Sequence, residues 1–221
     1  MKQVNRYWKQ LSAEEIAAGR HRAMIGGMWK EIGLLQLEFL KGRGLLPEHT
    51  LLDVGCGPLR GGIPLIGYLE PGHYYGLDIN ESLIEAGKME LAGAGLADRK
   101  PHLLVDDRFA FSRFGTMFDV ALAQSVFTHL FMNHIGRCLV EVGKVLKPQG
   151  RFYATFFRAP APLHLPPVTH LPGNKTTNYD ADPFHYAFEE MEMLARSAGL
   201  RAEVIGDWKH PRGQQMLCFY R

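Results

Sequence analysis

The sequence predicts a doubly wound α/β fold: a mostly parallel seven-stranded sheet, helices on both faces, and an antiparallel last strand. Three observations predict it. From residue 50 onward, apolar strand-like runs alternate with helix-patterned stretches, and the crossovers are too long for hairpins. The run Leu51-Leu52-Asp53-Val54-Gly55-Cys56-Gly57-Pro58 reads as a buried strand that turns sharply through two glycines into a helix. Only Asp207 to Gln214 separates the last two strands, too short for a helical crossover, so the final strand must run antiparallel.

Taken in order, residues 1–46 form a helical extension, expected to act as a lid. Ser12-Ala13-Glu14-Glu15 has the spacing of a capping box and starts a helix. Met24, Met28, Ile32, Leu35 and Phe39 recur at helical steps and make one apolar face. Gly26-Gly27 breaks the pattern, so two helices are expected rather than one rod. Gly42-Arg43-Gly44 and Pro47 close the extension. Residues 47–221 form the second domain. Its strands are expected near 50–55, 73–78, 102–106, 118–123, 150–157, 201–206 and 215–220. The helices fall near 60–69, 81–94, 130–146 and 186–198.

Bulk composition narrows the function. The 221 residues are 46% hydrophobic and 22% charged, as in an ordinary globular domain with a real core. A net charge of +2 with no block of Lys or Arg leaves no electrostatic footprint for nucleic acid. Three widely spaced cysteines, Cys56, Cys138 and Cys218, do not make a disulfide framework and suit a reducing cytosol. No apolar run is long enough to span a bilayer, and Met1 to Arg6 lack the apolar core of a signal peptide. A cytoplasmic protein with neither a nucleic-acid nor a membrane partner is expected. Nothing in the chain signals its oligomeric state.

The glycine turn is a ligand feature. A dinucleotide fingerprint needs a third glycine after Gly55-x-Gly57, at position 60, where Arg60 stands. Asp78 ends the second strand, where a carboxylate accepts bonds from both hydroxyls of a ribose. Asp106 and Asp107 end the third strand, placed to meet the exocyclic amine of an adenine, with Asp107 the preferred of the two.

These motifs fall in a recognisable order. Leu51–Pro58, Gly76-Leu77-Asp78, Val105-Asp106-Asp107, Phe118-Asp119-Val120 with Gln124 to Leu130, and Val145 to Gly150 together resemble the successive motifs of class I S-adenosylmethionine-dependent methyltransferases. The resemblance covers residues 47 to 221 and implies a Rossmann-like sheet and S-adenosylmethionine as cofactor, with S-adenosylhomocysteine as product. It implies that Asp53, Gly55 and Gly57 back the methionine part, that Asp78 holds the ribose, and that Asp107 or Asp106 meets the adenine. Gln124 and Ser125 would lie beside the methionine or the sulfonium.

Ligands of open parallel sheets sit at the carboxyl ends of the strands. The segments leaving the fourth and fifth strands therefore border the transferred methyl group. One is Gln124 to Leu130. The other is the connection 158–183, which holds six of the thirteen prolines and reads as a structureless substrate loop. In-line methyl displacement onto an alcohol or phenol benefits from a base, and histidine suits neutral pH. His129 and His185 are the candidates; Arg158 and Tyr186 are candidate substrate contacts. His164 and His170 lie inside the loop. Trp208, His210 and Arg212 sit farther along the sheet, where a direct role is not expected. None of the histidines has the compact spacing of a zinc site, and no metal is expected. The expected activity is methyl transfer to a small metabolite or sugar at a hydroxyl oxygen. A nicotinamide-dependent oxidoreductase and a non-catalytic cofactor-binding module are the alternatives.

Overall fold

The computed structural model describes residues 6–221; the first five residues of the expected extension, and most of the stretch read for a signal peptide, lie outside it. Seven strands make one mixed, mostly parallel sheet flanked by helices. The chain divides into two compact units, residues 6–107 and 108–221.

The 6–107 unit opens with three short helices, α1 (Ala13–Ala17), α2 (Arg20–Met24) and α3 (Trp29–Gly42). Ser12 caps α1 as expected: its hydroxyl accepts the Glu15 N–H while the Glu15 carboxylate accepts the Ser12 N–H. The expected pair of helices is corrected to three, because the chain also turns at Gly19, with φ of 73°. The predicted apolar face does not run straight through either. Gly26, Gly27 and Met28 all take positive φ, so the stripe restarts in α3 with Ile32, Gly33, Gln36 and Leu40 buried and Leu35 and Phe39 half-buried. Buried His21 and the exposed Arg22 both bond the Glu90 carboxylate at 2.7 Å, fastening α2 to α5 (Glu81–Gly93).

Strand β1 (Leu51–Val54) is buried along its whole length. It pairs in parallel with β2 (Tyr74–Asp78), which pairs in parallel with β3 (His102–Val105), giving the order β3-β2-β1. Helix α4 (Gly62–Tyr68) joins β1 to β2, and α5 leads on toward β3.

In the 108–221 unit, β4 (Phe118–Ala123) runs parallel to β5 (Leu146–Phe156), with α6 (Met132–Val145) between them in the chain. Strand β5 starts earlier than expected, since Phe118 already pairs with Leu146 before a register shift. Helix α7 (Phe188–Ser197) leads to β8 (Arg201–Asp207), and β9 (Gln215–Tyr220) follows. The order is β4-β5-β9-β8, so the last strand sits between β5 and β8 and runs antiparallel to both. Its short connection from β8 permits no other direction.

The 158–183 connection is not structureless. It carries an antiparallel hairpin of β6 (Val168–His170) and β7 (Lys175–Thr177), with Val168 opposite Thr177. Gly173 and left-handed Asn174 supply the turn between them. No helix among the described residues is long and apolar enough to cross a membrane.

The core of this unit includes Phe127, Phe152 and Phe219, whose rings lie 5.6–6.1 Å apart and which are fully buried. Replacing Phe152 by Ala is expected to cost about 3–5 kcal/mol, read as a lower urea midpoint at unchanged slope. A loss under 1 kcal/mol would show that this ring cluster is not a tight core.

Candidate functional site

In the 6–107 unit, the carboxyl ends of β1 and β2 meet at one carboxylate. Beyond Val54 the chain turns through Gly55 and Gly57, with φ of 70° and 52°, a conformation side chains resist. Gly55 is exposed, and a Cβ on Gly57 would meet only Ile25, at 3.9 Å, so the absent side chains leave backbone open to a ligand. The Gly57 N–H donates to Asp78 Oδ2 and the Asn80 N–H to Asp78 Oδ1, both at 2.8 Å. The Ile79 amide also bonds this carboxylate; since a carboxylate accepts about four bonds, capacity remains for a ligand hydroxyl. Burial pushes the Asp78 carboxyl up to about 6, against the opposing pull of the Asn80, Gly57 and Ile79 amides. Asp53 is also buried and is pushed up to about 7, mainly by desolvation, although the Tyr74 hydroxyl bonds it at 2.5 Å.

Asp106 is half-buried and continues the sheet, its N–H donating to the Asp78 carbonyl at 3.0 Å, while Asp107 is exposed. Asn80 is a site residue that the sequence reading misses. It caps α5 through Leu83 and sends its amide to the Tyr7 and Lys9 carbonyls at 2.7 and 2.8 Å. Its signal was an Asn directly before a helix-patterned run. The Arg60 guanidinium, which replaces the third glycine of a dinucleotide loop, bonds the carbonyls of Ile25 and Gly27. The segment ahead of α3 is thereby drawn to the glycine turn.

In the 108–221 unit, Gln124 and Ser125 follow β4. Ser125 is held in a left-handed conformation by its N–H bond to Thr155 Oγ1 at 2.7 Å. Its hydroxyl bonds Gln214 Oε1, as does that of Thr155, and Gln124 Nε2 lies 2.6 Å from Ser125 Oγ and 3.3 Å from His210 Nε2. This corrects the distant placement of the last turn: His210 and Gln214 join the residues after β4. Gln214 was missed, and no local pattern marks it.

His129 lies in a 3-10 turn, Phe127–His129, with its Nδ1 on the Asp182 carboxylate. His185 is placed differently. It is 1% exposed, with Nδ1 bonded to Thr177 Oγ1 at 2.9 Å and Nε2 to the His164 carbonyl at 2.8 Å. Both ring nitrogens are engaged inside the protein. Tyr186 is buried, and its hydroxyl donates to the Leu130 carbonyl. Arg158 is exposed, and its backbone bridges to Tyr186. His170 packs at a tilt against Phe157 and bonds Thr177, and burial lowers it to about 4, helped by His185.

Comparison with known proteins agrees with this architecture. Residues 52–152 match the model of the methyltransferase domain family. A crystal structure of an S-adenosylmethionine-dependent methyltransferase from Clostridium acetobutylicum superposes with a TM-score of 0.68 at 12% identity, covering 95% of this chain and 99% of that one. The mitomycin 7-O-methyltransferase MmcR gives 0.65 at 19% identity, over 95% of this chain and 58% of its own. The glycopeptide N-methyltransferase MtfA, complexed with S-adenosylmethionine, gives 0.60 at 17% identity, over 84% and 92%. The fold is that of the class I S-adenosylmethionine-dependent methyltransferases.

The two raised carboxyls predict a pH dependence of stability. A carboxyl raised on folding favours the protonated folded state. Its contribution is full below the unfolded value near 4 and is lost as pH rises through about 6 for Asp78 and about 7 for Asp53. Asp53→Asn is neutral throughout, so its Tm should fall less than that of wild type between pH 5 and pH 8. Equal falls in a thermal melt would show that Asp53 does not titrate in this window.

Proposed function

We propose that the chain is a methyltransferase that uses S-adenosylmethionine to methylate a small metabolite or sugar at a hydroxyl oxygen. The observation that carries the cofactor assignment is Asp78: a buried carboxylate that fixes the glycine turn and keeps acceptor capacity for a ribose hydroxyl. The residues present fit the group. Gly55 and Gly57 keep the turn bare for the methionine part, Asp53 backs that turn, and Asp106 or Asp107 serves the adenine. Gln124 and Ser125 offer polar atoms toward the methionine end. When bound, S-adenosylmethionine supplies an electrophilic methyl on a sulfonium and is converted to S-adenosylhomocysteine.

What the protein itself contributes is positioning, exclusion of water and a place for one proton. His129 is the proposed base: it follows β4, its side chain is 17% exposed, and a carboxylate faces one ring nitrogen. Arg158, exposed near the start of the long connection, remains available to an anionic acceptor. Oxygen is favoured as the acceptor because an alcohol or phenol needs such a base, whereas a neutral amine does not.

Calorimetric titration with S-adenosylhomocysteine tests the reading, with a reduced nicotinamide dinucleotide in parallel. One-site binding of the sulfur ligand is expected, weakened at least tenfold in Asp78→Ala. Binding selects the ionised carboxylate. With Asp78 at about 6, that form rises from about one-tenth at pH 5 to about nine-tenths at pH 7, so affinity should increase about tenfold over that range. Binding of the dinucleotide instead, or of neither ligand, would overturn the proposal.

A further inference from the structure

The segment carrying α1 and α2 is anchored at both ends beside Asp78 and the glycine turn, while its middle is lightly packed. At the first end, Asn80, whose N–H bonds Asp78, donates its side-chain amide to the Tyr7 and Lys9 carbonyls. Ser82 completes that anchor: its N–H donates to the Gln10 side chain, and its hydroxyl accepts the Leu11 N–H at 2.9 Å. At the second end, the Arg60 guanidinium donates to the Ile25 and Gly27 carbonyls. Ile25 faces the place a Cβ on Gly57 would take, 3.9 Å away. Helix α3 is locked behind it, since a Cβ on Gly33 would stand 2.5 Å from the Arg60 carbonyl oxygen.

Between the anchors, α1 and α2 have five residues each, too few for a helix stable by itself. Each buries a single residue, Ile16 in α1 and His21 in α2. A cavity of about 380 Å³, lined in part by Ile16, Ala17, Ala18 and Met89, separates them from α5. A segment with so few buried apolar contacts opens locally before the rest of a fold does. What fastens it is Glu90. Arg22 Nε donates to one oxygen of this carboxylate and a terminal Arg22 nitrogen to the other, both at 2.7 Å, the forked geometry that outlasts a single ion pair. His21 Nε2 meets the same carboxylate at 2.7 Å. The Arg22 guanidinium also lies 4.8 Å over the ring of Trp29, the first residue of α3.

We propose that residues 12–25 form a flap over the glycine-turn end of the cofactor site and that Glu90 is its latch: S-adenosylmethionine enters, and S-adenosylhomocysteine leaves, when Glu90 releases Arg22 and His21. The proposal rests on the methyltransferase reading above. The span of the segment is the reason. One anchor is Asn80, just beyond the carboxylate that serves the ribose; the other is Arg60, just beyond the turn that serves the methionine part. Glu90 stands toward the far end of α5, about 14 Å along the helix from Glu81, so it acts on the flap and is no part of the cofactor cradle. A latch that acts alike on the empty and the loaded protein changes how often the site opens and leaves the binding equilibrium where it was.

Stopped-flow mixing of the full chain with S-adenosylhomocysteine, followed by tryptophan fluorescence, reads the latch, because Trp29 lies under Arg22. Arg22→Ala removes the fork at a side chain that is half-exposed, where the fold is least at risk. Glu90→Gln removes the charge from the other side. In both variants the association and dissociation rates should rise together, about fivefold, with Kd within about twofold of wild type. Hydrogen exchange of the same samples should show amides of residues 13–25 exchanging about fivefold faster while those of α3 and β1 stay unchanged, which sets a loosened flap apart from general destabilisation. Unchanged rates in both variants would overturn the proposal. So would a rise in dissociation alone, the mark of a lost ligand contact. Failure of the wild type to bind defeats the methyltransferase reading and the flap with it; binding at rates that ignore both substitutions defeats the flap alone.

Discussion

The Asp78 carboxylate is the pivot of the 6–107 unit. Parallel strands β1 and β2 end side by side, and the turn after β1 leaves amide groups that no strand partner can satisfy. One oxygen of Asp78 takes the Gly57 N–H and the other takes the Asn80 N–H. The glycine turn and the start of α5 are thereby fixed by one side chain. Asn80 passes the constraint on, capping α5 and accepting the Ser82 hydroxyl at 2.7 Å. Removing the carboxylate would orphan two amides at once, and that loss is local to the bare glycine backbone on which a ligand would rest. The desolvation that raises Asp78 and the bonds that oppose it belong to the same arrangement.

Much of this is legible in the chain, and the limits have physical reasons. β4 and β9 fall on their expected residues, 118–123 and 215–220, because buried apolar runs with abrupt polar ends mark themselves. Gly57 and Asp78 are legible as partners because a strand, a helix and the next parallel strand put consecutive strand ends together. The N-terminal stripe misleads, since periodicity counts residues and does not register three consecutive positive φ values. Gln214 escapes for another reason. It meets Ser125 across a separation of 89 residues, and a lone glutamine in a short turn has no pattern to reveal that contact. The β6–β7 hairpin is equally silent, because three-residue strands are too short to show alternation and their proline-rich flanks read as coil.

Histidines in and beside the long connection differ in the partners of their ring nitrogens. His185, His170 and Thr177 form a chain of ring nitrogens and a hydroxyl, sealed at one end by the His164 carbonyl. Buried polar groups that satisfy one another in this way give a loop a single conformation without a large apolar core. His129, placed on the turn after β4, instead meets the Asp182 carboxylate through Nδ1. Which histidine does what is decided by the partners of its two nitrogens.

The amide of Asn80 has a consequence for the start of the chain. Asn80 is fully buried, and its two amide protons go to the carbonyls of Tyr7 and Lys9. A shortened chain beginning after Gln10 would exchange both of those protein acceptors for water. The segment 7–10 is therefore structural mortar: trimming it for convenience in a recombinant product would loosen the cap of a helix some seventy residues away in sequence.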